Sequence, residues 1–330
     1  DISVAMTANG HVFSGIAGLE AGSDYTVSGD TVTISKDSLN AMENGTHTFP
    51  FQFDGHRYAL FDVEILNSEP AFTINEAALA DGSGAGWSYA DGVLAISGSG
   101  LTLSGYSGDA LRIEVAAAVT DVALSGVDLE DCTFVYAGGP TGTLLISMQG
   151  SNEMHGGIEG VNGNLTFGGS GSLKVVSGQE AAVWAGKITV RSGSLTALAV
   201  SGGSADAYGL RAMSTLMISG GTVVAGGSSG NGYAYGIMAD SFITTAGTVA
   251  STGAVRSGNS RGYAHGIMAG SISIAGGTIA ATGDGSAGSG NYGYGMHGRN
   301  IFIDGGSVTA NGVGSNGGGF GIYSYETATY

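Results

Sequence analysis

Short stretches of alternating apolar and polar residues, punctuated by Gly, Asn-Gly and Asp-Gly, run along the whole chain. Asp1–Thr7 alternates up to Asn9-Gly10. Tyr25-Thr26-Val27 leads through Ser28-Gly29-Asp30 into Thr31-Val32-Thr33-Ile34, a β-hairpin by spacing and turn chemistry. Phe49 through Phe53 and Tyr58 through Leu66 alternate on either side of Asp54-Gly55, while Lys36–Met42 has room for one helical turn. Strands this short and close predict a small antiparallel sandwich over 1–66. Asn67-Ser68-Glu69-Pro70 reads as the linker, because Pro70 cannot continue a strand ladder.

Beyond the linker the pattern repeats. Tyr208-Gly209-Leu210, Tyr235-Gly236-Ile237, His265-Gly266-Ile267, Tyr294-Gly295-Met296 and Phe320-Gly321-Ile322 are equivalent, with weaker copies at 157 and 182. Several are followed by a Gly-Gly pair and a Thr or Ser, as in Gly220-Gly221-Thr222, Gly276-Gly277-Thr278 and Gly305-Gly306-Ser307. Starts at 157, 182, 209, 236, 266, 295 and 321 give a period of 25–30 residues, enough for three short strands and their turns. No segment carries a sustained helical period. An all-β chain is expected, with 67–330 a right-handed parallel β-helix (solenoid) whose coils advance ~4.8 Å. Ile74–Ala80 is expected to form a short helix over its open N-terminal end, with Asn75 as N-cap. Tyr323, Tyr325 and Tyr330 are expected to cover the other end.

Glycine accounts for 63 of 330 residues, and 42 of them fall in 157–330. In strand interiors each would cost about 0.5–1 kcal/mol, too much for a domain with ~5–15 kcal/mol of net stability. The glycines are therefore expected mainly at corners with positive φ. The lone Cys132 excludes an internal disulfide and is expected as a buried thiol. Residues 1–156 hold 20 Asp and Glu against 3 Lys and Arg, whereas 157–330 hold 7 of each kind, so the formal charge of −17 lies wholly in the first half. Such a chain should repel phosphate backbones. No nucleic-acid partner, no membrane insertion and a monomeric state are expected.

The run from Leu19-Glu20-Ala21-Gly22 through Thr33-Ile34-Ser35-Lys36, with Gly45-Thr46-His47-Thr48-Phe49 and Phe51-Gln52-Phe53, resembles the carbohydrate-binding module of the X-two type. The resemblance implies an Ig-like sandwich and an extracellular, secreted or cell-surface setting. Gly86-Trp87-Ser88-Tyr89, residues 145–152 and the Gly-Ile…Gly-Gly-Thr-Val repeat are similar to the β-helical carbohydrate-binding surface proteins of clostridia and gut Firmicutes. That family resembles pectate lyases in fold, and the likeness implies a polysaccharide or cell-wall glycan partner, since characterised members bind acidic plant polysaccharide with calcium.

The candidate chemistry lies in two aromatic columns. Tyr235, His265 and Tyr294 stand one residue before the repeat glycine, together with Tyr208 and Phe320; Tyr233, Tyr263 and Tyr292 stand two further back. Facing solvent, these six residues would form a sugar-binding platform; facing inward, a core stack. If the strand alternates evenly, the position before the glycine shares a side with the aliphatic one after it, which favours the interior. Asp121, Asp128, Glu130 and Asp131 are the densest acidic group and are candidate oxygen ligands for Ca²⁺, although a solvated acidic loop is the plainer explanation. Trp87 and Trp184 are expected as core anchors. Paired carboxylates of the kind glycoside hydrolysis needs are not apparent, so no catalytic residue is assigned and no cofactor is required. Non-catalytic polysaccharide binding or adhesion is the leading expectation. A structural stalk is the second, and a pectate-lyase-like enzyme the third.

Overall fold

The computed structural model describes the chain except residues 7–10, 41, 43–44, 55–56, 66–71, 76, 257–261, 288–289, 316–317 and 330. The Asn9-Gly10 turn, the Asn67–Pro70 linker and Tyr330 lie outside the described residues. Two compact units divide the chain, Asp1–Glu69 and Pro70–Tyr330.

The first unit holds two three-stranded antiparallel sheets. Ile2–Ala5 and Tyr25–Ser28 flank Thr31–Ile34, and Phe13–Ile16 and Arg57–Ile65 flank Gly45–Phe53. Ile16, Val32, Ile34, Phe49, Phe51 and Val63 are buried in one cluster drawn from both sheets, so period-2 alternation puts one face of each sheet into a shared core. The short helix is Lys36–Asn40; Ser35 caps it, its Oγ accepting the Ser38 amide at 3.2 Å.

The second unit is a parallel β-solenoid. Each coil passes through three faces before the chain reaches the next coil. In the later coils the first face carries 207–212, 234–239, 263–269, 292–298 and 319–324. The second carries 215–218, 241–244, 271–274 and 300–303. The third carries 222–229, 248–255, 278–285 and 307–314. In-register pairing stacks like on like: Leu94, Ile113, Phe134, Ile158, Val183, Leu210, Ile237, Ile267 and Met296 form one interior ladder of the first face, all 0–1% exposed. Burial of this ladder, and of its counterparts on the other two faces, is what the hydrophobic pattern encodes.

The corner between the second and third faces is where positive φ falls. Gly221, Gly247, Gly277 and Gly306 have φ of 75°, 92°, 92° and 83°, a region closed to most side chains. The expectation that glycines sit mainly at corners is incomplete, however. Gly227, Gly253, Gly283 and Gly312 stack in register inside the third-face strands. There the backbones of the first and third faces touch: a Cβ on Gly253 would come within 2.3 Å of the His265 carbonyl oxygen. Contact between main chains, not turn geometry, demands glycine at that position.

The N-terminal end is closed differently from the expected helix. Thr73–Ile74 and Ala77–Ala78 form a minimal antiparallel hairpin, and Thr73–Ile74 pairs with 103–104. Asn75 takes φ +48° and its Oδ1 accepts the Thr102 amide at 2.8 Å, so it caps a strand edge. Phe72 and Ile74 enter the solenoid core. Tyr323 and Tyr325 do not cover the other end of the ladder; they lie on its outer surface, 37% and 55% exposed.

Candidate functional site

The repeat glycine of the first face decides which way the aromatic residues point. Gly236 and Gly266 drop out of the pairing that joins Tyr235 to His265 and Ile237 to Ile267. A Cβ on Gly236 would lie 2.6 Å from the Thr252 nitrogen of the third face, so this residue faces inward against backbone. The next residue, Ile237, faces inward too and is fully buried in the core. Alternation therefore slips by one at the glycine, and the residue before it points outward while the residue after it points in. Even alternation does not hold here, and the interior placement it favoured for Tyr235, His265 and Tyr294 is corrected: none of the three belongs to the solenoid core.

On the outer surface these rings form a continuous stack. Tyr208–Tyr235, Tyr235–His265, His265–Tyr294 and Tyr294–Phe320 have centroid separations of 4.8, 5.0, 5.0 and 5.2 Å and interplanar angles of 1°, 5°, 11° and 10°. Coil spacing sets the distance, and in-register parallel pairing sets the angle. Each inner ring is covered on both faces, which is why Tyr235, His265 and Tyr294 are only 7%, 3% and 8% exposed despite pointing outward. The Tyr208 hydroxyl donates to Asp206 Oδ2 at 3.0 Å, and burial with this bond raises its pKa. Burial likewise raises the Tyr235 hydroxyl and lowers His265 to about 3, leaving the imidazole neutral. Its Nδ1 is buried without a partner.

Tyr233, Tyr263 and Tyr292 flank this stack as the accessible column. Tyr233 is 40% exposed, and Tyr263 and Tyr292 are half-buried. Tyr263 and Tyr292 stack at 5.4 Å and 13°, whereas Tyr233 tilts 38° from Tyr263. The Tyr233 amide donates to Asp206 Oδ1 at 2.9 Å, so Asp206 fixes the first rungs of both columns. All six candidate residues thus come together on one surface.

A third column, two residues after the glycine, borders the stack on its other side: Trp184, Arg211, Met238, Met268, His297 and Tyr323 pair in register. Trp184 is therefore on the outer surface, correcting its expected place in the core, while Trp87 packs partly buried against the core. The Arg211 guanidinium lies 4.5 Å from the Trp184 ring centroid and 4.6 Å from that of Tyr208, and its Nη1 donates to Glu180 at 2.7 Å. His297 stacks on His265 and Tyr294 at 5.1 and 4.8 Å. This column has no signal of its own in the sequence, because its residues differ in chemistry from coil to coil.

The acidic candidates are not gathered in the same way. Asp121, Asp128, Glu130 and Asp131 are spread along Asp121–Tyr136 as it crosses from one face to the next. Among the described residues no three His, Cys, Asp or Glu side chains converge as a metal-holding group. Asp128 pairs in register with Glu153, and burial, then Glu130 and Glu153, raise its pKa. Glu153 accepts from Lys174 Nζ at 2.6 Å and lies 3.0 Å from His155 Nε2, and these contacts hold its carboxyl low. Glu130, Asp131 and Glu159 line a cleft of about 390 Å³ with Thr133 and His155.

Residues 1–63 match the family described as Carbohydrate binding domain X2. The chain is similar to "Cellulose-binding protein A" of Clostridium cellulovorans, 43% identical over 77 residues, which is 21% of this chain and 4% of that protein. The chain thus spans a small part of the length of this curated relative. No solved structure matches it. Among the described residues no helix is long and apolar enough to cross a membrane.

Proposed function

We propose that this is a non-catalytic polysaccharide-binding protein that acts outside the cell, secreted or held at the surface, where it serves adhesion. The observation that carries the reading is the match of residues 1–63 to a carbohydrate-binding domain family. The aromatic surface of the solenoid supports it: Tyr233, Tyr263 and Tyr292 offer ring edges, hydroxyls and one tilted ring along a line parallel to the solenoid axis. A linear glycan lying on that line meets a new tyrosine every coil, while Tyr235, His265 and Tyr294 hold the column in place from behind. Binding in this reading needs no cofactor.

The test is retention of the full chain by insoluble cellulose and by a panel of soluble polysaccharides in affinity electrophoresis, with Ca²⁺ and with EDTA, alongside assays for reducing ends and unsaturated products. Binding without product formation is expected, weakened at least five-fold by Tyr263→Ala with Tyr292→Ala. Failure to bind any glycan would sink the reading. One observation favours a second reading, a structural stalk: the inner rings of the main stack have no free face, and a stack of that kind strengthens the solenoid whether or not sugar binds.

A further inference from the structure

A separate cavity of about 360 Å³ opens at the N-terminal end of the solenoid, walled by Phe72, Leu79, Tyr89, Tyr106 and the segment 107–111. Its walls are held by main-chain bonds. The Phe72 amide donates to the Tyr106 carbonyl at 2.9 Å, and the Leu79 amide to the Phe72 carbonyl at 3.0 Å. The first bond ties the capping hairpin to the coil beneath it, and the second closes the hairpin on itself. Gly108 makes room for a ring: a Cβ there would fall 2.7 Å from the Tyr106 hydroxyl oxygen and 3.3 Å from Cζ, so the hydroxyl end of the phenol rests against bare backbone. Phe72 and Leu111 are buried and form an apolar floor, Tyr89 and Tyr106 are half-buried, and Asp109 stands exposed at the rim. Ser107 Oγ donates to the Asp109 carbonyl at 3.4 Å, which leaves the Asp109 carboxylate outside that contact; among the described residues it makes no ion pair.

Two phenol rings, an apolar floor and one rim carboxylate suit a compact ligand with an apolar face and adjacent hydroxyls. Small-molecule sites begin at about 300 Å³, so the cavity has room for one pyranose. A carboxylate accepts two hydroxyl donors at once, and the C–H face of a sugar packs on a tyrosine ring. The same carboxylate disfavours an acidic sugar. We propose that this cavity binds a single neutral pyranose residue, at a site distinct from the tyrosine columns. The choice of sugar as ligand class rests on the polysaccharide-binding reading above; the cavity and its chemistry do not.

The probes are the methyl β-D-pyranosides of glucose, galactose and xylose, with galacturonate as the charged comparator, in saturation-transfer NMR on the full chain. At least one neutral glycoside is expected to receive saturation, and galacturonate none at pH 7. Asp109→Ala and Tyr89→Ala should each weaken that glycoside at least ten-fold. Asp109→Asn, which keeps an acceptor, should weaken it only a few-fold, and Thr248→Ala, exposed on the third face away from both sites, should leave it unchanged. Circular dichroism of each variant separates lost binding from lost fold, and the exposed Asp109 makes its variants safe in that respect. The proposal is overturned if no neutral glycoside binds, if Asp109→Ala binds as the parent does, or if galacturonate binds equally well. Retention on polysaccharide with silence from every glycoside overturns the cavity site alone and leaves the broader reading standing.

Discussion

His265 lies face to face with Tyr235, ring centroids 5.0 Å apart and planes within 5°, in a position that the neighbouring coils fill with tyrosine. A neutral imidazole fits there, 3% exposed with Nδ1 unpartnered; an imidazolium does not, because nothing nearby repays its desolvation. Burial therefore lowers the folded pKa from 6.5 to about 3. The depressed value means that the unfolded chain takes up the proton first as pH falls. The contribution is intact above about pH 6.5 and is lost progressively between 6.5 and about 3. His265→Tyr, which continues the ladder with the residue found on either side, should flatten the stability profile over that window in urea titrations. An unchanged slope would show that other groups govern the acid limb.

The two columns separate stability from binding. Tyr235 is covered on both faces by Tyr208 and His265, so Tyr235→Ala removes two ring contacts and leaves a gap in a closed stack. A loss of about 3 kcal/mol is expected by denaturant unfolding. Tyr233 is 40% exposed and tilted from its neighbour, so Tyr233→Ala should cost under about 1 kcal/mol while weakening glycan retention. Equal losses of stability in the two variants would refute this division of labour.

Glycine tolerance should follow main-chain contact and not turn position. Gly253 stands mid-strand, where a Cβ would meet the His265 and Ala234 carbonyl oxygens at 2.3 and 2.4 Å. Neither oxygen can retreat without breaking its ladder. Gly253→Ala is expected to cost about 3 kcal/mol or more or to abolish soluble expression. Gly202 sits in a turn with nothing within 4 Å of a Cβ, and Gly202→Ala should stay within about 0.5 kcal/mol. Thermal melting of the pair decides the matter.

The same contact explains what the sequence hid. The repeat spacing, the aliphatic ladder through Ile237 and Ile267, and the Gly-Gly corners were legible because each is a local pattern repeated in register. The direction of Tyr235 was not, because it depends on Gly236 lying against Thr252 of another face, a contact that no local period records. The outward placement of Trp184 and Arg211 depends on the same slip at the glycine position. The hairpin at Thr73–Ala78 replaced the expected helix because its edge pairs with 103–104, a partner distant in sequence. The acidic candidates do not converge as one ligand set: Asp128 lies beside Glu130 and Glu153, Glu130 and Asp131 open into the cleft with Glu159, and Asp121 stands at the start of the same strand.

Cys132 offers a direct probe of how tightly the early coils close. It is 1% exposed, and burial, reinforced by Asp131, pushes its thiol up to about 12 from a model-compound 9.0. Only the thiolate attacks a disulfide reagent. In the closed coil the thiol is therefore almost wholly protonated at pH 8. It is also out of reach, so the reagent must wait for local opening, which exposes the thiol and removes the burial that raised its pKa. The native protein should therefore label only at a rate that rises with denaturant, and the zero-denaturant limit gives the opening free energy of the coil at 132–136. As this is the sole cysteine, the signal has a single source. Rapid, denaturant-independent labelling would show that this coil opens freely, and would weaken any role for the adjoining Glu130, Asp131 and Glu159 cleft as a fixed surface.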